Sequence, residues 1–162
     1  MAKKDDDIWN SLENISKYKI KKEISSGSFG RVFLVENDSH QYACKVEKPT
    51  TTVTQVHYEY SIYNLMRRTN PQLYKHFLHV FDHGTTPQHN LKYMIMELGG
   101  NDLTNYFSVH QIWSRQSIKS VLIQCLHAVQ AFHMFGFVHR DIKPSNFVFH
   151  RNSTQVKLID LG

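Results

Sequence analysis

The chain has 162 residues and is expected to fold as an α+β protein. Two observations predict this: five strand-like segments gather around one helix-compatible stretch before residue 98, and the longest apolar-periodic segment follows them. Tyr18 to Ser26, Arg31 to Glu36 and Gln41 to Glu47 read as three consecutive antiparallel strands. The first connection holds Gly27 and Gly30; the second, Asn37-Asp38-Ser39-His40, has strong turn chemistry. Pro49 and Thr50 to Thr52 break the strand pattern, and Thr54 to Arg68 is compatible with a helix. Two further strands are placed near His79 to Gly84 and Leu91 to Glu97. The expectation is a five-stranded antiparallel sheet with one helix, a small lobe.

The rest reads as the start of a mainly helical lobe. Asn101-Asp102 looks like the N-cap of a short helix ending near Val109. Ser114 opens the longest helix, to about Phe135, with Ile118, Val121, Leu122, Cys125, Val129 and Phe132 as its core stripe. Ile123 and Met134 project away from that stripe and would also seek apolar cover. Gly136 closes the helix. Short strands at Phe147 to Phe149 and Val156 to Ile159 flank a turn at Arg151-Asn152-Ser153.

Composition narrows the function classes. Hydrophobic residues at 41% and charged residues at 20% suit a soluble globular domain. No apolar run approaches membrane-spanning length. Residues 1–17 start with mixed charge, lack the apolar core of a secretory signal, and read as a poorly ordered tail. Cys44 and Cys125, far apart in apolar segments, suggest a reducing intracellular setting, cytoplasmic or nuclear. The net charge of +5 is modest, and Lys17, Lys19, Lys21 and Lys22 read as a solvent-facing strand rather than a nucleic-acid patch. His76, His79 and His83 fall short of the four ligands a structural zinc wants.

The chemistry concentrates in His139-Arg140-Asp141-Ile142-Lys143-Pro144-Ser145-Asn146. An Asp with an Asn five positions on is the spacing of the protein-kinase catalytic loop. There the Asp accepts or orients the proton of an attacking hydroxyl and the Asn holds a metal ion. Lys143 adds a cation suited to a transferring phosphoryl group. Upstream, Lys45 in Tyr42-Ala43-Cys44-Lys45-Val46 has the position of the lysine that pairs with ATP phosphates, and Glu59 lies fourteen residues later on the helix. Ser25-Ser26-Gly27-Ser28-Phe29-Gly30-Arg31-Val32 resembles a glycine-rich phosphate loop with Ser25 for its first glycine. That exchange is expected to alter nucleotide affinity rather than abolish the loop. Asp160-Leu161-Gly162 resembles D-F-G, keeping the metal-ligand Asp and an apolar second residue. Singly, each motif has an ordinary reading as a turn or a surface charge. Five in this order point to one site.

From about Tyr18 to Gly162 the chain therefore resembles eukaryotic protein kinases, and Lys143-Pro144-Ser145-Asn146 looks like the serine/threonine type. Gly27 to Gly30, Lys45-Val46-Glu47, Met94 to Gly100 and His139 to Phe147 resemble the casein kinase I group, with tau-tubulin and vaccinia-related kinases. The resemblance implies a protein-kinase-like fold with a partial kinase domain over 18–162: an N-lobe at 18–97, a hinge at 98–100 and the start of a C-lobe at 101–162. It implies ATP and Mg²⁺ as cofactors and a protein Ser/Thr substrate. Asp141, Lys143 and Asn146 would be catalytic, with Asn146 and Asp160 binding the metal. Ser25, Gly27, Gly30, Val32, Ala43, Lys45 and Glu59 would line the nucleotide site, with Met96 as gatekeeper. The carbonyl of Glu97 and the amide of Gly99 would hold adenine. Complete kinases continue into an activation segment and further helices, so the chain reads as a fragment. The alternatives are a nucleotide-binding or scaffold protein without catalysis and a small-molecule kinase.

Overall fold

A computed structural model describes residues 8–27, 30–48, 55–109 and 113–161. The loop tip Ser28-Phe29, the break at Pro49 to Thr52, the expected helix start Thr54 and the terminal Gly162 lie outside those residues, as do Met1 to Asp7. The chain divides into two compact units, the first within Met1–Ser61 and Val80–Leu98, the second within Ile62–His79 and Gly99–Gly162.

The first unit holds an antiparallel sheet. Its strands are β1 (Asn14–Ile15), β2 (Tyr18–Ser26), β3 (Gly30–Asn37), β4 (His40–Glu47), β5 (Val80–Thr85) and β6 (Lys92–Glu97), ordered β1-β2-β3-β4-β6-β5. The five expected strands are present, and β1 adds a sixth, pairing Asn14 with Lys19 and Ile15 with Tyr18. Asp38 and Ser39 take left-handed conformations in the β3–β4 turn, which short polar side chains tolerate. Helix α1 (Gln55–Thr69) follows β4, and its first turns touch the face of β4 that carries Lys45 and Glu47.

Alternation along the strands sends Phe33, Val35, Cys44, Val46, Tyr93 and Ile95 into a common cluster with Trp9, Leu12 and Ile15. Residues 8–17 are therefore not a loose tail. Residues 8–11 form a helical turn, and Trp9 lies 5.9 Å from Phe33 ring to ring. Burying an indole and two aliphatic side chains outweighs the charge of the preceding segment. The signal was an apolar set at 9, 12 and 15.

The second unit includes Ile62–His79, which the sequence reading assigned to the small lobe. The reason is packing. Asn70 Oδ1 accepts from the amides of Gln72 and Leu73 at 3.1 and 3.2 Å and opens α2 (Pro71–Tyr74). Phe77 then lies tilted against Phe132 with ring centroids 6.0 Å apart, and the Leu158 amide donates to the His76 carbonyl at 2.9 Å.

Helix α3 (Leu103–Val109) is capped by Asp102, whose Oδ1 accepts from the Asn105 amide at 2.9 Å. Helix α4 (Arg115–Met134) starts at Ser114, whose Oγ accepts from Ser117 at 3.0 Å. It ends in a Schellman turn: Gly136, at φ 84°, donates to His133 at 2.9 Å, and Phe137 donates to Phe132 at 3.3 Å. The buried side of α4 is Val121, Ala128, Ala131 and Phe132. Ile118 and Leu122, expected in the core, are exposed, Leu122 at 55%. Ile123, Leu126 and Met134 are exposed as well. Gln124 joins α4 to the following ribbon, accepting from the Val156 amide at 3.0 Å and donating to the Thr154 carbonyl at 3.2 Å. That ribbon pairs β7 (Phe147–Phe149) with β8 (Val156–Leu158). No described helix is long and apolar enough to cross a membrane.

Candidate active site

In the first unit, the strand register sets out the predicted nucleotide residues. Ser25 pairs with Val32, Val32 with Lys45, and Ala43 with Met96. The Gly27 amide donates to the Gly30 carbonyl at 2.9 Å, closing the glycine turn at its base. Gly30 pairs with Glu47, and a Cβ there would collide with the Val46 carbonyl. Only glycine fits that approach. Lys45 Nζ donates to Glu59 Oε2 at 2.6 Å, and Glu59 is 2% exposed. Ala43 and Met96 are buried, and Glu97 ends β6.

The second unit carries the other predicted residues. Gly99 opens a stretch tied to β7: Gly100 donates to Phe149 at 2.7 Å, and Phe149 donates to Asn101 at 3.0 Å. After the Schellman turn the chain runs to His139, which is buried, its Nε2 2.9 Å from the Ile159 carbonyl. Arg140 adopts φ 66°, uncommon for a long side chain. Pro144 then presets a 3₁₀ turn, Pro144–Asn146, closed by the Asn146 amide on the Lys143 carbonyl at 3.0 Å.

That turn folds Asn146 back onto Asp141. Asn146 Nδ2 donates to the Asp141 carbonyl at 2.7 Å and to Asp141 Oδ2 at 3.3 Å, while Lys143 Nζ donates to the same Oδ2 at 2.7 Å. Asn146 is buried; Asp141 and Lys143 are exposed. The Lys143 ammonium, aided by Asn146, holds the Asp141 carboxyl below the usual carboxylate range.

Beyond β7 and β8 the pairing continues one step, with the Ile159 amide donating to the Asn146 carbonyl at 2.9 Å. The ribbon thus sets Asn146 and Asp160 at one end. Asp160 is exposed at φ 59°, and Leu161 is buried. With Nδ2 committed to Asp141, the Asn146 amide keeps Oδ1 as an oxygen donor, and Asp160 follows the Ile159 that is bonded to the Asn146 carbonyl. Two oxygen donors from the protein suit Mg²⁺, which completes its shell with water and phosphate. The residues fit the metal.

The chain matches the protein kinase domain over residues 18–162. It belongs to the protein kinase family. One relative is a probable casein kinase I homolog of Encephalitozoon cuniculi (strain GB-M1), 32% identical over 158 residues, covering 91% of this chain and 48% of the relative. Another is CDPK-related kinase 5 of Arabidopsis thaliana, 31% identical over 159 residues, covering 91% of this chain and 26% of the relative. The chain thus spans half or less of these kinases. Its family implies use of ATP with a divalent metal.

Two buried residues make ties that the sequence motifs alone do not announce. Glu47 entered only as a mark of resemblance, yet it is 3% exposed and its Oε1 accepts from the Gln55 amide at 2.8 Å. The available signal was an acidic residue inside an apolar strand, two positions after Lys45. His139, read only as part of a motif, is the buried tie between the catalytic stretch and the end of β8. The three spaced histidines do not gather: His83 stacks on Tyr60 at 3.6 Å in the first unit, whereas His76 and His79 belong to the second. Among the described residues no cluster of three metal-ligating side chains forms.

Proposed function

We propose that this chain is the ATP- and magnesium-binding part of a protein serine/threonine kinase of the casein kinase I group. The observation that carries the reading is the hydrogen-bonded set Asp141, Lys143 and Asn146, in a chain that also pairs Lys45 with Glu59. Asp141, held as a carboxylate, orients the substrate hydroxyl and takes its proton as the new oxygen–phosphorus bond forms and the bond to ADP breaks. Lys143 offsets charge on the transferring phosphoryl group. Asn146 Oδ1 and Asp160 would hold Mg²⁺, which when bound would neutralise phosphate charge. Lys45, anchored by Glu59, engages the α- and β-phosphates beneath Ser25, Gly27 and Gly30. Val32, Ala43 and Met96 cover adenine, and the Glu97 carbonyl bonds it. The free thiols Cys44 and Cys125 support an intracellular setting.

The serine/threonine assignment rests on Lys143-Pro144-Ser145-Asn146, and the group on the motif marks together with the casein kinase I homolog's name. A second reading, nucleotide binding without transfer, is favoured by the exposed apolar side chains of α4. Incubating the chain with labelled Mg-ATP, a protein acceptor and a small alcohol separates the readings. Label on serine or threonine of the protein is expected. Tyrosine or alcohol labelling would overturn the assignment; nucleotide binding with no transfer would select the second reading.

A further inference from the structure

We propose that Glu47 is a positioning residue that seats α1, and with it Glu59, against Lys45; this rests on the kinase reading above. Lys45 and Glu47 lie two apart on β4 and face the same side. Each grips α1: Lys45 through Glu59, and Glu47 through the amide of Gln55, the first residue of the helix. Gln55 and Glu59 are one helical turn apart. Two anchor points fix both the position of the helix and its rotation; one would leave it free to swing.

The chemistry of Glu47 suits this task. The first amides of a helix lack intrahelical acceptors, and the positive end of the helix dipole favours a carboxylate there. Burial at 3% exposure makes an unattached carboxylate costly, so the side chain holds its partner firmly. Its other oxygen, Oε2, is buried with no hydrogen-bond partner among the described residues. The charge is thus committed to the helix end. Glu47 also pairs with Gly30 across β3 and β4, so one residue links the glycine turn to the start of α1.

The test uses the whole chain and two readouts: Mg-ATP affinity, and the rate at which Lys45 is acylated by an amine reagent, followed by mass spectrometry. Glu47→Ala should weaken Mg-ATP binding about fivefold, the order of a lost capping acceptor, and should speed Lys45 acylation as Glu59→Ala does. Glu47→Gln, which keeps the acceptor oxygen, should restore most of both. In a Glu59→Ala background, Glu47→Ala should add nothing. Gln55→Pro removes the donor at a helix position where proline is tolerated and should reproduce Glu47→Ala, so it decides the matter if Glu47→Ala does not fold. Wild-type acylation and affinity in both Glu47→Ala and Gln55→Pro, or effects additive with Glu59→Ala, would overturn the positioning role. Lys45→Met separates the two ideas. If it leaves Mg-ATP binding intact the kinase reading itself fails, while the acylation rates still decide whether Glu47 seats Glu59.

Discussion

Two of the lysine–carboxylate pairs among the described residues have nearly equal lengths in opposite surroundings. Lys45 and Glu59 meet at 2.6 Å with side chains 22% and 2% exposed; Lys143 and Asp141 meet at 2.7 Å with side chains 52% and 63% exposed. A buried pair sits in a low effective dielectric and is held by the cost of leaving either charge alone. An exposed pair is screened by water, and either partner can leave at little cost. The first is built to stay in place. On the kinase reading proposed above, the second leaves Asp141 able to exchange its ammonium partner for an incoming hydroxyl. Contact distance alone does not distinguish the pairs; burial does.

The largest expected effect falls on the exposed pair and touches rate alone. In a chain that transfers phosphate, Asp141→Asn should lower kcat about 10²- to 10⁴-fold, the range of general-base contributions. Its thermal midpoint and Mg-ATP affinity should match wild type. A large fall in the midpoint would show that Asp141 is structural and would break the contrast.

For the buried pair the order reverses. Lys45→Met leaves the Glu59 carboxylate buried without its ammonium, and should cost about 3–5 kcal/mol in denaturant unfolding, together with Mg-ATP binding. Replacing both partners should separate these losses. Lys45→Met with Glu59→Leu should recover stability to within about 1 kcal/mol of wild type while binding stays lost. If the double variant is as unstable as the single one, the pair is a folding requirement rather than a functional one.

The sequence disclosed the two pairs unequally. Lys143 and Asp141 are two residues apart, so their meeting is local and was legible. Lys45 and Glu59 were matched by family spacing, and the strand register and helix phase place them together. Strands were legible where apolar residues alternate or turn residues punctuate. Less legible were features set by distant packing. The outer cover from Trp9, Leu12 and Ile15 was hidden by the charged residues before it. Leu122 has the helical phase of a core residue yet is exposed, because what α4 buries depends on which elements pack on it and not on its own periodicity. Residues 70–79 joined the second unit through the His76 and Phe77 contacts to Leu158, which no local pattern announces.

The smallest effect concerns protonation. Asp141 titrates below its ordinary value of 3.8, first because of the Lys143 hydrogen bond and then Asn146. A depressed value means that the carboxylate form persists as pH falls past the ordinary value. Any stability it lends is present above that value and is lost only below it, as pH drops through the depressed one. For so exposed a group that contribution is minor, and the useful observable is the titration itself. Lys143→Ala removes the leading cause and leaves the Asn146 hydrogen bond, so the Asp141 midpoint, followed through its carboxyl carbon by NMR, should rise only part of the way back. Lys143→Arg, which keeps a cation in reach, should hold it low. An unchanged midpoint in Lys143→Ala would mean that the 2.7 Å contact does not persist in solution, and Asp141 would then need no exchange of partners to receive a hydroxyl.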